Sequence, residues 1–289
     1  MRLVIILLIF ITPIFTATSA TTFVAGLQKD VLIGEVEGVS LNLNLALPEN
    51  SSTKPKPALV YIHGGGLIQG DKNKFNKQIT KMAIRGVIAA SVMYRLAPEH
   101  RFPSAIEDVK AAIRFLKAHS KELNLDPDRI VILGVSAGAY LATMVGVTGN
   151  SKEFSQHNLY PKFDSTVAAV ISFSGSLADF TKAEYQNFIL VKRFLNLNEH
   201  DKNKALAAIS PASYLDKNDP PFFLTHGSAD EVVPVEMTRD FVLELQKRNH
   251  PFEYIEVEGG KHSLSSTRPK KASEVFSASM AFFQKHAYE

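Results

Sequence analysis

Hydrophobic and polar positions follow two different periods along this chain, and the first is a period of two. Leu41 to Leu47 has a leucine at every second position, and the mostly apolar run Val31 to Val36 precedes it. Alternation of this kind is typical of a strand with one buried face. Because only a short stretch around Glu37-Gly38-Val39 separates the runs, the pattern predicts an antiparallel hairpin.

Beyond a polar, proline-rich loop from Pro48 to Pro57, apolar runs alternate with segments that have a helical period. Ala58 to Ile62 is almost continuously apolar, as expected for a strand buried on both faces. The later predicted strands are Val87 to Val92, Ile130 to Leu133, Val167 to Phe173, Phe222 to Thr225 and Phe252 to Val257. The predicted helices contain Phe75 to Ala83, Ile106 to Leu116, Tyr140 to Val147, Phe241 and Leu245, and Phe276 to Phe283. This order predicts an α/β fold: a mostly parallel twisted sheet with an N-terminal antiparallel hairpin and helices on both faces.

The first twenty residues differ in composition from the rest of the chain. Arg2 supplies a positive charge, Leu3 to Ile11 is apolar, and Thr18-Ser19-Ala20 is a small-residue end. These features are typical of a secretory signal peptide, and the apolar run is about half as long as the ~20 residues of a membrane-spanning helix. We expect residues 1–20 to be a signal peptide and the protein to be exported, secreted or periplasmic, with no membrane contact after cleavage. An uncleaved membrane anchor is the alternative.

Length, charge and cysteine content narrow the classes of function. Residues 21–289 suit one large α/β domain, because 45% of the chain is hydrophobic and can form a large core. The absence of cysteine excludes disulfides, a thiol nucleophile and zinc–thiolate sites. The net charge of +3 comes from dispersed residues, so no nucleic-acid partner is indicated. The long connection from Ser176 to Pro221 (residues 176–221) is predicted to form helices that cover part of a site, or alternatively to pack on the sheet edge.

The sequence Gly-Val-Ser-Ala-Gly at residues 134–138 directly follows a predicted strand and precedes a predicted helix. A serine at the apex of such a tight turn is held clear of the sheet in strained backbone. Glycine on either side leaves room for the crossing strand and helix. Ser136 is therefore a candidate nucleophile, and the NH groups after it would point at the group it attacks.

Three glycines follow the first parallel strand, in the sequence His63-Gly64-Gly65-Gly66. Consecutive glycines cost conformational entropy, and close approach of free backbone NH groups to a ligand is the usual reason for them. We expect two of these NH groups and that of Ala137 to form an oxyanion hole, with a flexible turn as the alternative. His63 is expected to bind backbone rather than to act as a base.

An acid and a histidine follow two further strands. Asp230 comes shortly after Phe222 to Thr225, and His262 comes shortly after Phe252 to Val257, so the chain order is serine, acid, histidine. A catalytic imidazole keeps one nitrogen for the serine while a carboxylate orients the other. His226 is interpreted as a hydrogen-bonded turn histidine. The other candidates are interpreted as surface groups: His100, His119, His157, His200, His250 and His286.

The segment from Tyr94 to Pro103 follows the second parallel strand. Its prolines stiffen it, and Arg95, Glu99 and Arg101 are expected to form ion pairs that fix its course. It is interpreted either as a wall of the pocket or as a brace for the glycine turn. Ser104, directly after it, is expected to cap the next helix.

Taken together, these motifs make the chain resemble the α/β-hydrolase superfamily of serine esterases. The glycine run, the sequence Tyr-Arg-Leu-Ala-Pro-Glu-His from residue 94 and the Gly-x-Ser-x-Gly motif are similar to those of the secreted esterase/lipase group. Two features resemble the acetylxylan and feruloyl esterase-like branch, often called bifunctional deacetylase and feruloyl esterase domains. One is the hairpin that leads almost directly into the strand before the glycines, and the other is the segment from Ser210 to Phe222. The resemblance covers the chain from about Val31 onwards.

The resemblance implies a serine carboxylic-ester hydrolase that acts through an acyl-enzyme and needs no metal and no organic cofactor. It assigns the nucleophile, acid and base to Ser136, Asp230 and His262. It assigns the oxyanion donors to the NH groups of Gly65, Gly66 and Ala137. The expected partner is a small-molecule or oligosaccharide ester, such as an acetyl or feruloyl ester of plant polysaccharide. Leu67 stands where many relatives have a bulky aromatic residue, which points to an acyl pocket of different width.

Other functions are compatible with the same motifs. One is a general short- or medium-chain carboxylesterase or lipase-like esterase, and another is an amide hydrolase of the arylformamidase or peptidase type. A non-catalytic binding protein on a hydrolase scaffold is the least favoured, because such proteins typically lose one of the three site residues.

Overall fold

An eight-stranded sheet lies at the centre of the computed structural model, which describes residues 22–49, 53–154, 156–157, 159–195, 201–264 and 269–288. The strands are β1 (Gly26–Val36), β2 (Val39–Leu47), β3 (Lys56–Ile62), β4 (Ile88–Val92), β5 (Leu125–Val135), β6 (Ala169–Phe173), β7 (Phe222–Gly227) and β8 (Phe252–Val257). They lie side by side in the order β1-β2-β4-β3-β5-β6-β7-β8. Strand β2 is antiparallel to β1 and β4, and the other pairs are parallel. The predicted sheet with its N-terminal hairpin is confirmed.

Helices cover both faces of this sheet. They are α1 (Asn76–Ile84), α2 (Ser104–Ala118), α3 (Ser120–Leu123), α4 (Ala137–Thr148), α5 (Ile189–Phe194), α6 (Lys202–Ala208), α7 (Val235–Lys247) and α8 (Pro269–Tyr288). In β3, Val60 and Ile62 face a core that includes residues of α2, α4 and α7, whereas Leu59 and Tyr61 face a core with α1 and α8. Burial on both faces explains why this strand is almost continuously apolar.

The segment predicted to be a signal peptide, residues 1–20, lies outside the described residues. Across the parts of the chain that the structure does describe, no helix combines the length and the hydropathy that a membrane span requires.

Two strands begin earlier than their hydrophobic patterns predict. Strand β1 begins at Gly26 rather than at Val31, and β5 begins at Leu125 rather than at Ile130. Gly26, Leu27 and Gln28 pair with β2, and Leu125 pairs with Lys56 of β3, but an irregular and mostly polar stretch separates each of these pairings from the regular part of its strand. Hydrophobic periodicity does not detect strand ends of this kind, because the irregular polar stretch interrupts the apolar pattern.

The predicted cap at Ser104 is wrong. Pro103 occupies the cap position of α2, Ser104 is the first helical residue, and no side chain caps this end of the helix. The chain enters the helix through a tight turn in which the Ser104 NH donates to the carbonyl oxygen of Arg101 at 2.9 Å. This turn takes the place of a side-chain cap.

Arg95 forms ion pairs, but its partners lie outside its own segment. Its guanidinium donates to Asp108 in α2 and to Glu37 in the hairpin turn, each at 2.8 Å. Arg101 donates instead to three backbone carbonyl oxygens at the end of α5. The expected ion pairing with Glu99 is therefore wrong, because both arginines tie the segment to other parts of the fold.

Two histidines that we interpreted as surface groups are buried. His250 is 7% exposed, and its Nε2 donates to the carbonyl oxygen of Pro220 at 3.0 Å. The side chain of His157 is 6% exposed, and its Nε2 lies 3.5 Å from Oδ1 of Asp108. The surface interpretation is wrong for both, because the polar stretches that contain them fold back onto buried polar groups.

The connection from Ser176 to Pro221 contains α5, α6 and a 3₁₀ turn at Pro211–Ser213. Phe180 and Phe194 of this connection are fully buried and contact Tyr140 of α4 edge-on, with ring centroids 6.5 and 5.9 Å apart. The connection therefore packs firmly against the helix that follows Ser136.

Candidate active site

Ser136 lies at the apex of the turn between β5 and α4. Its φ and ψ are 56° and −122°, a strained conformation for a residue with a side chain. The Ser136 NH donates to the carbonyl oxygen of Phe173 at 2.8 Å, which fixes the turn to β6. A Cβ at Gly134 would lie 2.1 Å from the Gly138 carbonyl oxygen, and one at Gly138 would lie 2.2 Å from that of Ile62. Only glycine allows the strand and helix to cross this closely.

The structure brings Ser136, His262 and Asp230 together at the carboxyl ends of three strands. Nε2 of His262 lies 2.9 Å from Oγ of Ser136, and Nδ1 of His262 lies 2.7 Å from Oδ2 of Asp230. The Asp230 side chain is fully buried, whereas that of His262 is 25% exposed. Because a carboxylate can only accept here, Nδ1 carries the proton and Nε2 is free to accept from the serine hydroxyl.

Asp230 is held as a carboxylate by several hydrogen bonds. The NH groups of Val232 and Val233 donate to its Oδ1 at 2.8 and 2.9 Å, and His226 and His262 contact its Oδ2 at 3.0 and 2.7 Å. Burial alone would raise the pKa of Asp230, but these hydrogen bonds outweigh burial and hold the pKa well below its ordinary value. The carboxylate therefore stays charged and oriented throughout the neutral pH range.

His226 has a more specific place than the turn histidine that we expected. Its Nε2 faces two acceptors, Oδ2 of Asp230 and the carbonyl oxygen of Val233, both at 3.0 Å, so this nitrogen carries the proton. Its Nδ1 lies 2.7 Å from the hydroxyl of Thr238 and can accept from it. His226 is thus a buried donor to the Asp230 carboxylate. The only sequence signal for this contact is its position four residues before Asp230 at the same strand end.

The glycine turn after β3 faces Ser136. Gly65 and Gly66 have φ values of +128° and +61°, and a Cβ at Gly65 would lie 1.8 Å from the carbonyl oxygen of Gln69. Ala137 is the first residue of α4, so its NH is one of the unsatisfied donors of a helix start. Among the described residues, no protein acceptor binds the NH groups of Gly65, Gly66 or Ala137. These three donors line the same cleft as the serine hydroxyl.

The segment after β4 braces this turn, as one of the two interpretations of the sequence held. Tyr94 stacks on His63 with ring centroids 4.3 Å apart, and its hydroxyl donates to the His63 carbonyl oxygen at 2.9 Å. The Ala97 NH donates to the carbonyl oxygen of Leu67 at 2.8 Å. His63 also contacts the Gly64 carbonyl oxygen through Nδ1 at 2.8 Å, so the expectation that it binds backbone is confirmed. Burial lowers the pKa of His63, which favours a neutral ring.

The cleft over Ser136 has a volume of about 600 Å³, within the usual range for a small-molecule site. Its lining includes Ile68, which follows the glycine turn, and Phe188, Ile189 and Leu190 from the connection after β6. Leu67 is buried in the core and is not among the described residues that line the cleft, so it does not set the width of an acyl pocket. Within the described ranges, no group of three or more acidic or histidine side chains could hold a metal ion.

Three features together define an α/β-hydrolase. The sheet is mostly parallel and has eight strands, a strained serine lies between a strand and a helix, and a buried acid and a histidine follow two later strands. The chain belongs to the BD-FAE family, whose model matches residues 43–245. The resemblance that we inferred from the motifs is therefore confirmed.

Similar proteins agree with this assignment. Esterase LipC of Mycobacterium tuberculosis is 32% identical over 218 residues, which are 73% of this chain and 54% of LipC. A truncated carbohydrate esterase from gut microbiota shares the fold with a TM-score of 0.76 at 24% identity, covering 92% of this chain and 97% of that one. An acetyl ester-xyloside bifunctional hydrolase from Caldicellulosiruptor lactoaceticus has a TM-score of 0.74 at 25% identity, covering 89% and 98%. This chain spans about half the length of the curated relatives it matches.

Proposed function

We propose that this protein hydrolyses carboxylic esters through an acyl-enzyme formed on Ser136. The observation that carries the proposal is the unbroken chain of hydrogen bonds from the serine hydroxyl through His262 to Asp230, at 2.9 and 2.7 Å. A serine hydroxyl is a weak nucleophile until a neighbouring base can take its proton. In this site the base, its orienting acid and a set of backbone donors all meet at one strained serine.

In the first half of the reaction, Nε2 of His262 accepts the hydroxyl proton as Oγ of Ser136 attacks the ester carbonyl. The carbonyl oxygen becomes an oxyanion and moves toward the NH groups of Gly65, Gly66 and Ala137. Donors fixed in advance around such an oxygen stabilise the transition state without reorganisation, and each is worth about a hundredfold in turnover. The tetrahedral intermediate then collapses, His262 gives its proton to the leaving alcohol, and an acyl group remains on Ser136.

In the second half, water takes the place of the alcohol. His262 accepts a proton from water as the water oxygen attacks the acyl carbonyl, and the same NH groups bind the second oxyanion. Collapse of this intermediate releases the carboxylic acid and returns the proton to Oγ of Ser136. Asp230 stays ionised throughout and stabilises the imidazolium that forms twice in each cycle.

The substrate class that we propose is an acetyl or feruloyl ester of plant polysaccharide or its oligosaccharides. Support comes from the BD-FAE family match and from the likeness to an acetyl ester-xyloside bifunctional hydrolase. The cleft of about 600 Å³, lined by Phe188, Ile189 and Val232, has an apolar surface on which a short acyl group or an aromatic ring can rest.

The experiment is a comparison of 4-nitrophenyl esters of increasing acyl length with acetylated xylan and methyl ferulate. We expect turnover of the short acyl esters and of at least one of the cell-wall substrates, and we expect Ser136→Ala to lower kcat by about 10⁴-fold or more, because the nucleophile is lost. Thermal unfolding of both proteins serves as the control for folding.

The pattern of rates separates the alternatives. A preference for medium acyl chains, with no activity on the cell-wall substrates, would refute the polysaccharide substrate and indicate a general carboxylesterase. Turnover of amides in preference to their matched esters would indicate an amide hydrolase. Ester turnover that survives in Ser136→Ala at the original rate would refute the mechanism.

We also propose that the protein is exported after cleavage at the end of residues 1–20. The support is the charged, apolar and small-residue order of that segment. Amino-terminal sequencing of the protein recovered outside the cytoplasm would test this, and a chain that starts at Met1 and stays with the membrane would indicate an anchor instead.

A further inference from the structure

Two permanently charged side chains line the candidate active-site cleft, and both are cations. Arg193 comes from α5, on one side of the cleft, and Lys74 comes from the 3₁₀ turn Lys72–Phe75, which follows the glycine turn. Among the described residues, the cleft has no aspartate or glutamate in its lining. Asp230 is buried behind His262, where it is already bound by four donors. The cleft therefore has an excess of positive charge.

Arg193 lies directly over the turn that carries two of the candidate oxyanion donors. A Cβ on Gly66 would lie 2.4 Å from Nη1 of Arg193, so the guanidinium is in close contact with this glycine. The backbone that holds Arg193 is anchored. Its carbonyl oxygen accepts from Arg101 at 3.0 Å, and the carbonyl oxygen of Phe194 accepts from the Phe102 NH at 2.9 Å. The cation is thus held over the glycine turn by backbone that is itself hydrogen-bonded.

Neither charge is used by a protein acceptor in the described part of the chain. Other arginines of this fold have carboxylate partners: Arg95 binds Asp108, and Arg239 binds Glu256 at 2.6 Å. No acceptor among the described residues binds the side chains of Arg193 or Lys74. An arginine that is partly buried in a cleft and has five unused N–H donors is well suited to bind an anion.

We propose that Arg193, assisted by Lys74, binds a carboxylate on the substrate, so that the site takes esters that also carry a negative charge. The planar guanidinium can bind both oxygens of a carboxylate, and such charge-assisted bonds are among the strongest in proteins. Within the polysaccharide substrates proposed above, the matching group is the carboxylate of a uronic-acid sugar near the ester. This inference rests on the proposed function, because it concerns the choice among esters.

A direct role in catalysis is the competing explanation for Arg193. A guanidinium this close to Gly66 could stabilise the oxyanion of every ester, whatever else the ester carries. The two roles predict different results. A carboxylate-binding residue affects only charged esters, whereas an oxyanion-binding residue affects all esters equally.

Two pairs of rigid esters test the proposal on the alcohol side and on the acyl side. The first pair is 4-acetoxybenzoate and its neutral amide, 4-acetoxybenzamide. The second pair is phenyl 4-carboxybenzoate and phenyl 4-carbamoylbenzoate, in which a neutral carbamoyl group replaces the carboxylate. We expect kcat/KM to be about tenfold higher for the charged member of at least one pair, and we expect Arg193→Gln to abolish this preference by lowering kcat/KM for the charged member about tenfold more than for the neutral member. Added salt should weaken the preference, because the binding is electrostatic.

Lys192→Gln is the matched control. It removes the same charge from the same helix, but Lys192 is exposed and does not line the cleft, so the preference should persist. Arg193→Lys should retain part of the preference. Equal loss on charged and neutral esters in Arg193→Gln, or no preference in either pair, would overturn the proposal. If the proposal fails in this way but Ser136-dependent turnover of neutral esters is still observed, the proposed ester hydrolysis stands.

Direct binding keeps the test valid even if no ester is turned over. Calorimetry on Ser136→Ala would compare 4-acetoxybenzoate with 4-acetoxybenzamide, with and without the added change Arg193→Gln. Binding of the carboxylate at least tenfold tighter than the amide, lost with Arg193→Gln, supports the proposal. Equal affinities, or a preference that survives Arg193→Gln, refute it.

Discussion

At the scale of single residues, the site depends on how the Asp230 carboxylate is held. Two backbone NH groups fix one of its oxygens, and His262 and His226 contact the other. The sequence was sufficient to propose Ser136, Asp230 and His262, because each follows a predicted strand in the required order. It was not sufficient for His226, because a histidine at a strand end has many possible partners until the turn after it is known.

Replacement of His226 should show that it positions Asp230 through a hydrogen bond. His226→Leu removes the donor, and we expect kcat/KM to fall about 10- to 100-fold, which is the cost of losing one hydrogen bond to a charged group. The hydrogen bonds now hold the pKa of Asp230 below its ordinary value. Loss of one of them should raise that pKa. A more basic carboxylate stabilises the imidazolium of His262 more strongly, so the acidic limb of the pH–rate profile should move to higher pH.

His226→Gln is the informative comparison, because the amide of glutamine can place an N–H donor near the position of Nε2. It should recover most of the rate and the original acidic limb. A purely structural role would instead lower the amount of folded enzyme in both variants and leave the shape of the pH–rate profile unchanged.

At the scale of elements, two periods of hydrophobicity predicted most of the fold. The period-two hairpin and the alternating runs and helices were placed correctly, because both faces of the central strands are buried. The cleft wall after β6 was less predictable. Arg193 meets Gly66 only because Phe194 packs α5 against Tyr140 of α4, and no local sequence pattern encodes a contact between such distant segments.

The segment between β4 and α2 should depend on the buried pair Arg95 and Asp108. Both side chains are at most 2% exposed, and several hydrogen bonds of 2.8 to 3.0 Å join them. Arg95→Met leaves a buried carboxylate without its main partner, so we expect the free energy of unfolding to fall by about 3–5 kcal/mol. Urea unfolding measures this directly.

A double-mutant cycle and a surface control make this prediction specific. Arg95→Met combined with Asp108→Asn should cost clearly less than the sum of the single changes, because neither then leaves an unpaired charge. Arg239→Met breaks an exposed pair with Glu256 and should cost only about 0–1 kcal/mol. Equal losses for Arg95→Met and Arg239→Met would show that the buried pair does not brace the segment.

At the scale of the whole molecule, the sheet brings distant parts of the chain to one edge. Strand β3 leads into the glycine turn, β5 into Ser136, β7 into Asp230 and β8 into His262. Ligands of open α/β sheets bind at the carboxyl ends of the strands, and the cleft lies there. The sequence predicted this edge because the motifs follow strands, while the shape and charge of the cleft required the packed structure.

The most direct test of the account is covalent capture of the nucleophile. A 4-nitrophenyl phosphonate ester should release one equivalent of 4-nitrophenol per chain, stop ester hydrolysis in the same proportion and leave the phosphonyl group on the peptide that contains Ser136. Ser136→Ala should remain unlabelled and inactive while it unfolds at the temperature of the original protein. Labelling of a different residue, or ester hydrolysis that continues after Ser136 is blocked, would contradict the acyl-enzyme mechanism.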